Sequence, residues 1–377
     1  MIRDDATPMR LALDLAARAI GISEPNPRVG CVLADGDGRE IGQGHTQQAG
    51  GAHAEIMALR DAQARGHPVR DATAYVTLEP CSHYGRTGPC CDALVAAGVR
   101  RVVASIADPN PLVGGHGFAR LRAAGISVDV GQGAPESREL NIGFFSRMLR
   151  KTPWLRLKTA ASLDGKTALA NGASQWITSE LARADGHVWR ARASAILTGI
   201  GTVLDDNPRL DVRLADQPYD KQRQPALVVV DSRLETPLDA RLFIAGRALY
   251  LYAAVRHGEK EAALTGRGAT VIHMPGNAPG SEGKVDLKAM LADLARREIN
   301  ELHVEAGHKL NGSLVREALV DELLVYLAPK LMGQGRDMAN FGPLSALDQA
   351  VPLEFKSSTM IGPDLRIIAR GAGRDRF

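Results

Sequence analysis

Four side chains of this chain have the types and spacing to activate water: His53, Glu55, Cys81 and Cys90. One imidazole and two thiolates make three protein ligands for Zn²⁺, and tetrahedral zinc keeps its fourth position for water. Zinc held in this way lowers the pKa of that water to near neutral. Glu55 lies two residues from His53 and is the natural proton carrier. H-x-E followed by P-C and a second Cys, with the Glu outside the ligand set, is the pattern of hydrolytic zinc deamination at an amidine-like carbon. The spacing departs from the commonest form, because Cys81 and Cys90 are C-x8-C rather than C-x2-C.

Plainer readings compete with that one. A lone H-x-E has little specificity, and two cysteines of a reducing cytosol are more often buried apolar residues than ligands. A structural zinc normally takes four protein ligands, and Cys91, adjoining Cys90, is a poor fourth. The insert between Cys81 and Cys90 carries His83, Tyr84 and Arg86, side chains suited to holding a substrate.

The whole chain bounds these readings. Its 377 residues suggest two or three domains. With 45% hydrophobic and 24% charged residues it is an ordinary globular composition. A net charge of +3 gives no ground for general nucleic-acid or membrane affinity. Four cysteines are too sparse for a disulfide framework. The first residues lack an apolar signal core, and no apolar run approaches the roughly 18 residues of a membrane span. A cytoplasmic protein is expected, with no membrane and no nucleic acid among its partners.

The elements that must position the four residues follow from periodicity. Residues 8–20 have helical spacing and stop at Gly21; a turn-rich loop, E-P-N-P-R-V-G, leads into an apolar run at 29–33. Asp35-Gly-Asp-Gly38 reads as a hairpin turn into a strand near 40–45. A helix opening at Gly50-Gly51-Ala52 carries His53 and Glu55. Positions two apart on an ideal helix point about 200° away from each other, so the two can serve one centre only by straddling the first turn. Residues 72–78 form a strand that delivers Glu79-Pro80-Cys81, and Cys90 starts the next helix, whose N-terminus favours a thiolate. A strand at 101–106, a helix at 117–124, a strand at 126–130 and one helix over 135–148 complete an α/β layered domain. The basic stretch ending at Pro153 marks the boundary, giving domains 1–150 and 151–377.

In the second half, strands are expected at 154–160, 195–197, 226–230, 248–252, 269–273, 301–304 and 323–328, with an amphipathic helix over 286–299. Residues 171–178 form a polar loop, and Ser179 can cap the next helix. Gly199-Ile-Gly201 lacks the third glycine of a Rossmann fingerprint. It follows a buried strand, as do the glycines of Glu305-Ala-Gly307 and Asn311-Gly312, so a phosphate site and plain turns both remain open.

H-A-E followed by T-L-E-P-C-S-H-Y-G-R-T-G-P-C-C closely resembles the deaminase half of the bifunctional riboflavin-biosynthesis deaminase-reductases. S-L-D-G-K, S-Q-W-I-T, L-T-G-I-G-T-V-L-D-D-N-P and H-V-E-A-G resemble the reductase half of the same family, and together the matches span nearly the whole chain. The resemblance implies a cytidine-deaminase-like α/β/α domain followed by a dihydrofolate-reductase-like α/β domain, with Zn²⁺ and NADPH as cofactors. It implies a phosphorylated aminopyrimidine substrate, deaminated first and then reduced from ribosyl to ribityl. By the same resemblance His53, Cys81 and Cys90 hold zinc, Glu55 is catalytic, and Asn26, His83 and Arg86 contact substrate in the first domain. In the second, Ser174, Arg190, Leu210, Arg213 and Glu305 are expected at the substrate, and Ala160, Trp176, Thr202, Asp206 and Gly307 onward at NADP. The arginines also have a physical basis, since a guanidinium fork suits phosphate. A homo-oligomer is expected.

Two rivals belong to other classes. A nucleic-acid or free-nucleobase zinc deaminase with a non-catalytic second domain would share the zinc residues; for nucleic acid it should show a basic stripe and aromatic platforms, whereas this chain is 4% aromatic. A zinc-stabilised binding module would need no Glu55 and would leave the second half unexplained.

Overall fold

The computed structural model describes residues 5–84, 88–216, 222–277 and 282–377. The chain divides into two compact units, one up to Lys151 and the other from Thr152 onward.

The first unit runs α1 (Ala6–Ala17), β1 (Gly30–Ala34), β2 (Glu40–His45), α2 (Ala54–Ala64), β3 (Thr73–Val76), α3 (Cys90–Ala96), β4 (Arg101–Ala104), α4 (His116–Ala123), β5 (Ser127–Val130), α5 (Ala134–Leu140) and α6 (Ile142–Arg150). Its described strands form one sheet in the order β2-β1-β3-β4-β5. The β1 pairings with β2 and β3 are antiparallel, and β3-β4-β5 are parallel. Every β1 residue is buried because both faces of the strand are covered. Val32 and Ala34 pack with Met9, Ala12 and Leu15 of α1, and the alternate residues Cys31 and Leu33 point to the opposite face. There α2 lies directly on β2: a Cβ at Gly44 would sit 2.6 Å from the Ala54 carbonyl oxygen. Only a glycine lets the first turn of α2 come this close.

The expected single helix over 135–148 is two helices, broken at Asn141 (φ −110°). The buried Asn141 side chain accepts from the Arg28 N–H at 2.7 Å and donates to the Arg28 carbonyl at 2.9 Å. It thus satisfies the backbone of the N-P-R-V-G loop as a neighbouring strand would, a use that helical periodicity does not reveal.

The second unit runs β6 (Trp154–Ser162), β7 (Lys166–Leu169), α7 (Glu180–Arg192), β8 (Ala195–Gly199), α8 (Ile200–Asp206), β9 (Ala226–Val230), β10 (Leu249–Ala253), α9 (Gly258–Gly266), β11 (Ala269–His273), α10 (Leu287–Arg296), β12 (Glu301–Val304), α11 (His308–Arg316), β13 (Glu322–Ala328), β14 (Gly335–Asp337), β15 (Leu353–Ile361) and β16 (Asp364–Gly371). Among the described residues, nine strands form a sheet in the order β11-β10-β9-β8-β12-β6-β13-β16-β15. It is parallel from β11 to β13; β16 and β15 close it antiparallel. One core joins Leu155, Leu197, Val228 and Leu302 to Met290, Leu291 and Leu294 of α10 and Leu314 of α11. The other joins Ile196, Leu227, Val229 and Leu251 to Val203 of α8 and Leu264 of α9. Helices thus cover both faces. This is the dihydrofolate-reductase-like α/β arrangement, in which ligands bind beyond the carboxyl ends of parallel strands.

Candidate functional site

In the first unit, three elements converge. His53 is the N-cap of α2 with extended backbone (φ −75°, ψ 166°), and Glu55 lies in that helix's first turn. Because His53 is not yet helical, its ring and the Glu55 carboxyl reach the same place although they are two residues apart. Cys81 follows β3, and Cys90 begins α3. His53 Nδ1 lies 3.5 Å from Cys81 Sγ and 3.3 Å from Cys90 Sγ. All three ligand atoms fall within 4.8 Å of one another. Tetrahedral zinc, with Zn–S of about 2.3 Å and Zn–N of about 2.0–2.1 Å, sets S···N separations of about 3.6 Å. The donor set and its spacing fit that ion.

The electrostatics agree. A hydrogen bond from the Cys90 thiol holds Cys81 down at about 4, and the same bond, with burial, pushes Cys90 up. The Cys90 N–H also donates to Cys81 Sγ at 3.3 Å. A thiol–thiolate pair of this kind carries the negative charge that a divalent cation neutralises. Burial first, then the Cys81 charge, pushes the Glu55 carboxyl up to about 7, so Glu55 can both take and give a proton near neutrality. Cys91 turns away: its Sγ donates to the carbonyls of Pro80 at 3.2 Å and Gly117 at 3.5 Å.

Asn26 lies on the loop entering β1, its N–H donating to the Ser23 carbonyl at 2.8 Å. His83 is exposed two residues beyond Cys81. Arg86 lies outside the described residues.

In the second unit, four of the expected substrate residues share one neighbourhood. Arg190 of α7 pairs with Glu305 through Nε and through Nη2 at 2.9 Å, and its Nη1 donates to the Asp211 carbonyl at 3.0 Å. Arg213 pairs with Asp211 and donates its N–H to His187 Nδ1 at 3.2 Å. Leu210 sits beside them with φ 47°. The Arg190 fork, expected at a phosphate, is aimed at Glu305, while the Arg213 side chain is half exposed. Ser174 lies on the loop before α7, where Arg183 stacks on the exposed Trp176 ring at 4.5 Å.

Apart from Trp176, the expected cofactor residues lie near or beyond the carboxyl ends of β6, β8 and β12. Ala160 is on β6 opposite Tyr326 of β13. Thr202 is in α8, and Asp206 is the exposed last residue of that helix. Gly307 caps α11, and a Cβ there would come 3.8 Å from Thr202 Oγ1. The helices after β8 and β12 therefore start side by side.

Sequence reasoning missed Lys158 and His303. Lys158 Nζ lies 3.8 Å from Glu305 Oε2, and His303 Nε2 lies 3.4 Å from Oε1 without the alignment of a hydrogen bond. Burial pushes the Glu305 carboxyl up, but Arg190 and then Lys158 overcome that and hold it well below the usual range. The signal was present in W-L-R-L-K, where two cations interrupt a strand that is otherwise a buried apolar run.

Two family models match the chain: the cytidine and deoxycytidylate deaminase zinc-binding region over residues 2–106, and the RibD C-terminal domain over residues 153–367. The riboflavin biosynthesis protein RibD of Escherichia coli (strain K12) is 44% identical, across 97% of this chain and 98% of that protein. Among solved structures, Acinetobacter baumannii RibD, form 1, is similar with a TM-score of 0.88 and 37% identity, covering 98% of this chain and 99% of that one. The diaminohydroxyphosphoribosylaminopyrimidine deaminase/5-amino-6-(5-phosphoribosylamino)uracil reductase of Thermotoga maritima follows at TM-score 0.83 and 31% identity, covering 97% and 98%. Fold and site together define an enzyme with a zinc deaminase unit ahead of an NADPH-dependent reductase unit. The chain belongs to the RibD family of bifunctional riboflavin-biosynthesis proteins.

Proposed function

We propose that this enzyme deaminates 2,5-diamino-6-(5-phosphoribosylamino)pyrimidin-4(3H)-one and then reduces the product to 5-amino-6-(5-phosphoribitylamino)uracil. The observation that carries the first step is the approach of His53 Nδ1 to both thiol sulfurs, with a buried carboxyl poised near 7 beside them. His53, Cys81 and Cys90 would hold the zinc, which when bound activates water for attack on C2. Glu55 carries one proton of that water to the ring nitrogen beside C2 and then the remaining hydroxyl proton to the departing amino nitrogen, so ammonia leaves as the uracil carbonyl forms. Asn26, His83 and Arg86 would hold the pyrimidine and its phosphate.

For the second step the ribosylamino group opens to an imine, and NADPH when bound supplies the hydride for C1′. Ala160, Trp176, Thr202, Asp206 and Gly307 would line the cofactor. Ser174, Leu210, Arg213 and Glu305 would line the substrate, with Arg190 orienting Glu305 and Arg213 as the cation freer to meet phosphate. Positioning is the protein's main contribution here.

Ammonia release and NADPH oxidation, followed on one preparation with the diaminopyrimidine phosphate, test the reading. Chelation should stop the first and spare the second when deaminated substrate is supplied. Ammonia release from cytidine or single-stranded DNA, with no NADPH oxidation, would instead favour the nucleobase deaminase.

We also propose that the protein is a cytoplasmic homo-oligomer. Four unpaired thiols suit a reducing compartment, and no helix among the described residues is long and apolar enough to cross a membrane. Support for self-association lies at β15, a nine-residue edge strand with Phe355 78% and Met360 61% exposed. Such edges are normally covered, and an antiparallel pairing of β15 with a second copy is self-complementary. Phe355→Glu should lower the sedimenting mass; an unchanged oligomer would rule out this strand, and a monomeric parent the association itself.

A further inference from the structure

At the outer edge of the first unit's sheet, three elements surround a cavity of about 370 Å³. Leu15 and Arg18 of α1, Gln43 and His45 of β2, and Met57 and Arg60 of α2 line it. None of these residues is proposed above for metal, catalysis or substrate. The cavity lies where β2 ends its sheet, so that one side of the strand's backbone faces no other strand among the described residues. Gln43 shows which groups lie on that side, because its N–H donates to Asp61 Oδ2 at 2.9 Å rather than to β1. The N–H groups of an antiparallel strand alternate in direction, so the His45 N–H points the same way, toward the cavity. The His45 carbonyl is already taken, accepting from Gln47 Nε2 at 2.8 Å.

The side chains add charge of one sign. Gly30 lies opposite His45, and a Cβ on Gly30 would run into the Ala12 carbonyl of α1. The His45 side chain therefore stands on the α1 face, the face from which Arg18 comes. Burial and then the Arg18 charge hold its imidazole below the ordinary value, which keeps the ring neutral at pH 7. Arg60 approaches from α2. Among the described residues neither Arg18 nor Arg60 has an ion-pair or hydrogen-bond partner. Asp61 is the acid of the lining, and it is committed: it accepts from Gln43 and pairs with Arg65 at 3.1 Å.

Two guanidinium forks and a backbone N–H at a sheet edge make a concavity suited to an oxyanion. The space is larger than a bare oxyanion needs and falls in the range of small-molecule sites, and Leu15 and Met57 give it an apolar wall. We propose that this cavity binds a phosphate monoester of a small molecule, with the phosphate on Arg18, Arg60 and the His45 N–H and the carbon part against Leu15 and Met57. The site stands independently of the deaminase and reductase readings.

The test uses the full-length protein with isotope-labelled histidines, the His45 ring signal being identified by its loss in His45→Gln. Ribose 5-phosphate should shift that signal saturably. Inorganic phosphate should bind about tenfold more weakly, because it lacks the part that meets Leu15 and Met57. Arg18→Ala and Arg60→Ala should each weaken the ribose 5-phosphate titration about tenfold or more. Melting temperature and the KM of both activities should stay at the parent values in these variants. No saturable shift of His45, or one that both arginine variants leave unchanged, would overturn the inference. A shift that follows protein concentration rather than ligand would give the edge to a second copy of the chain and overturn it as well. Equal affinity for inorganic phosphate would overturn the assignment of a monoester.

Discussion

Arg190 of α7 and Glu305, the residue after β12, meet fork to fork: Nη2 lies 2.9 Å from Oε2, and Nε meets the other oxygen. Only a sixth or less of either side chain is exposed, so this pair is screened far less than a surface one. Glu305→Gln removes the nearest counter-charge of both Arg190 and Lys158. Removing one member of a fully buried pair costs about 3 kcal/mol or more, and this partly exposed pair loses less. The melting transition of the second unit should fall and NADPH oxidation with it, while ammonia release stays at the parent rate. Equal loss of both activities would mean that the pair does not act within its own unit alone.

Cys81→Ser and Cys90→Ser should each lose zinc and deamination, because a hard oxygen replaces a thiolate in a three-ligand set. Cys91→Ala should keep the metal, since its sulfur faces the carbonyls of Pro80 and Gly117. Glu55→Gln should keep zinc and lose at least about a hundredfold in kcat for ammonia release. Metal analysis with ammonia detection separates these outcomes; full zinc in either serine variant would contradict the ligand set.

Much of this was legible in the residues. The Asp35–Gly38 turn stands between the strands expected from the apolar run at 29–33 and from the segment near 40–45, and Ser179 caps α7 by accepting from the Ala182 N–H at 3.3 Å. The His53–Glu55 problem of opposed faces resolves because the first of them precedes the helix. What stayed hidden is what local pattern cannot carry. Asn141 breaks a helix to bond Arg28, 113 residues away. β15 is exposed on both faces, so it has no period-2 signature. α8 and α11 read as glycine turns because their short apolar stretches give few periods. Glu79 looks like one residue of a motif until its backbone donors, from Asp108, Gly115, Gly117 and Phe118, are seen together.

His187 should give the second unit a pH-dependent stability. Burial, then Arg190 and Arg213, lower its imidazole to about 4, against roughly 6.5 in the unfolded chain. The neutral ring is required because Nδ1 accepts from the Arg213 N–H. A depressed histidine contributes fully above the unfolded value and loses that contribution as pH falls toward the folded one. By pH 5 the loss is at most about 2 kcal/mol, reduced by solvent screening of the partly exposed ring. Melting temperatures of the second unit between pH 7 and 5 should therefore slope downward, and His187→Gln should flatten the slope. An unchanged slope would assign it elsewhere.

A fragment starting at Lys151 contains the cores built on β6 to β16 and should bind NADPH and reduce deaminated substrate without zinc. Within it, Asp206→Asn should reduce turnover more than melting temperature, since Asp206 is an exposed helix-end residue proposed at the cofactor. If it merely supports the turn at Asn207, melting temperature would drop and activity per folded molecule would hold. An inactive fragment beside an active full chain would show that the first unit is needed for reduction.

The segment between Cys81 and Cys90 has one more consequence. Its two ends are tied at the base, where the Cys91 N–H donates to the Cys81 carbonyl at 3.1 Å and the Cys90 N–H to the Cys81 sulfur at 3.3 Å. The proposed ligands are thereby held by bonds that do not involve the eight side chains between them. Exchanging His83 or Tyr84 should therefore leave the zinc content of the protein unchanged, which metal analysis of such variants checks.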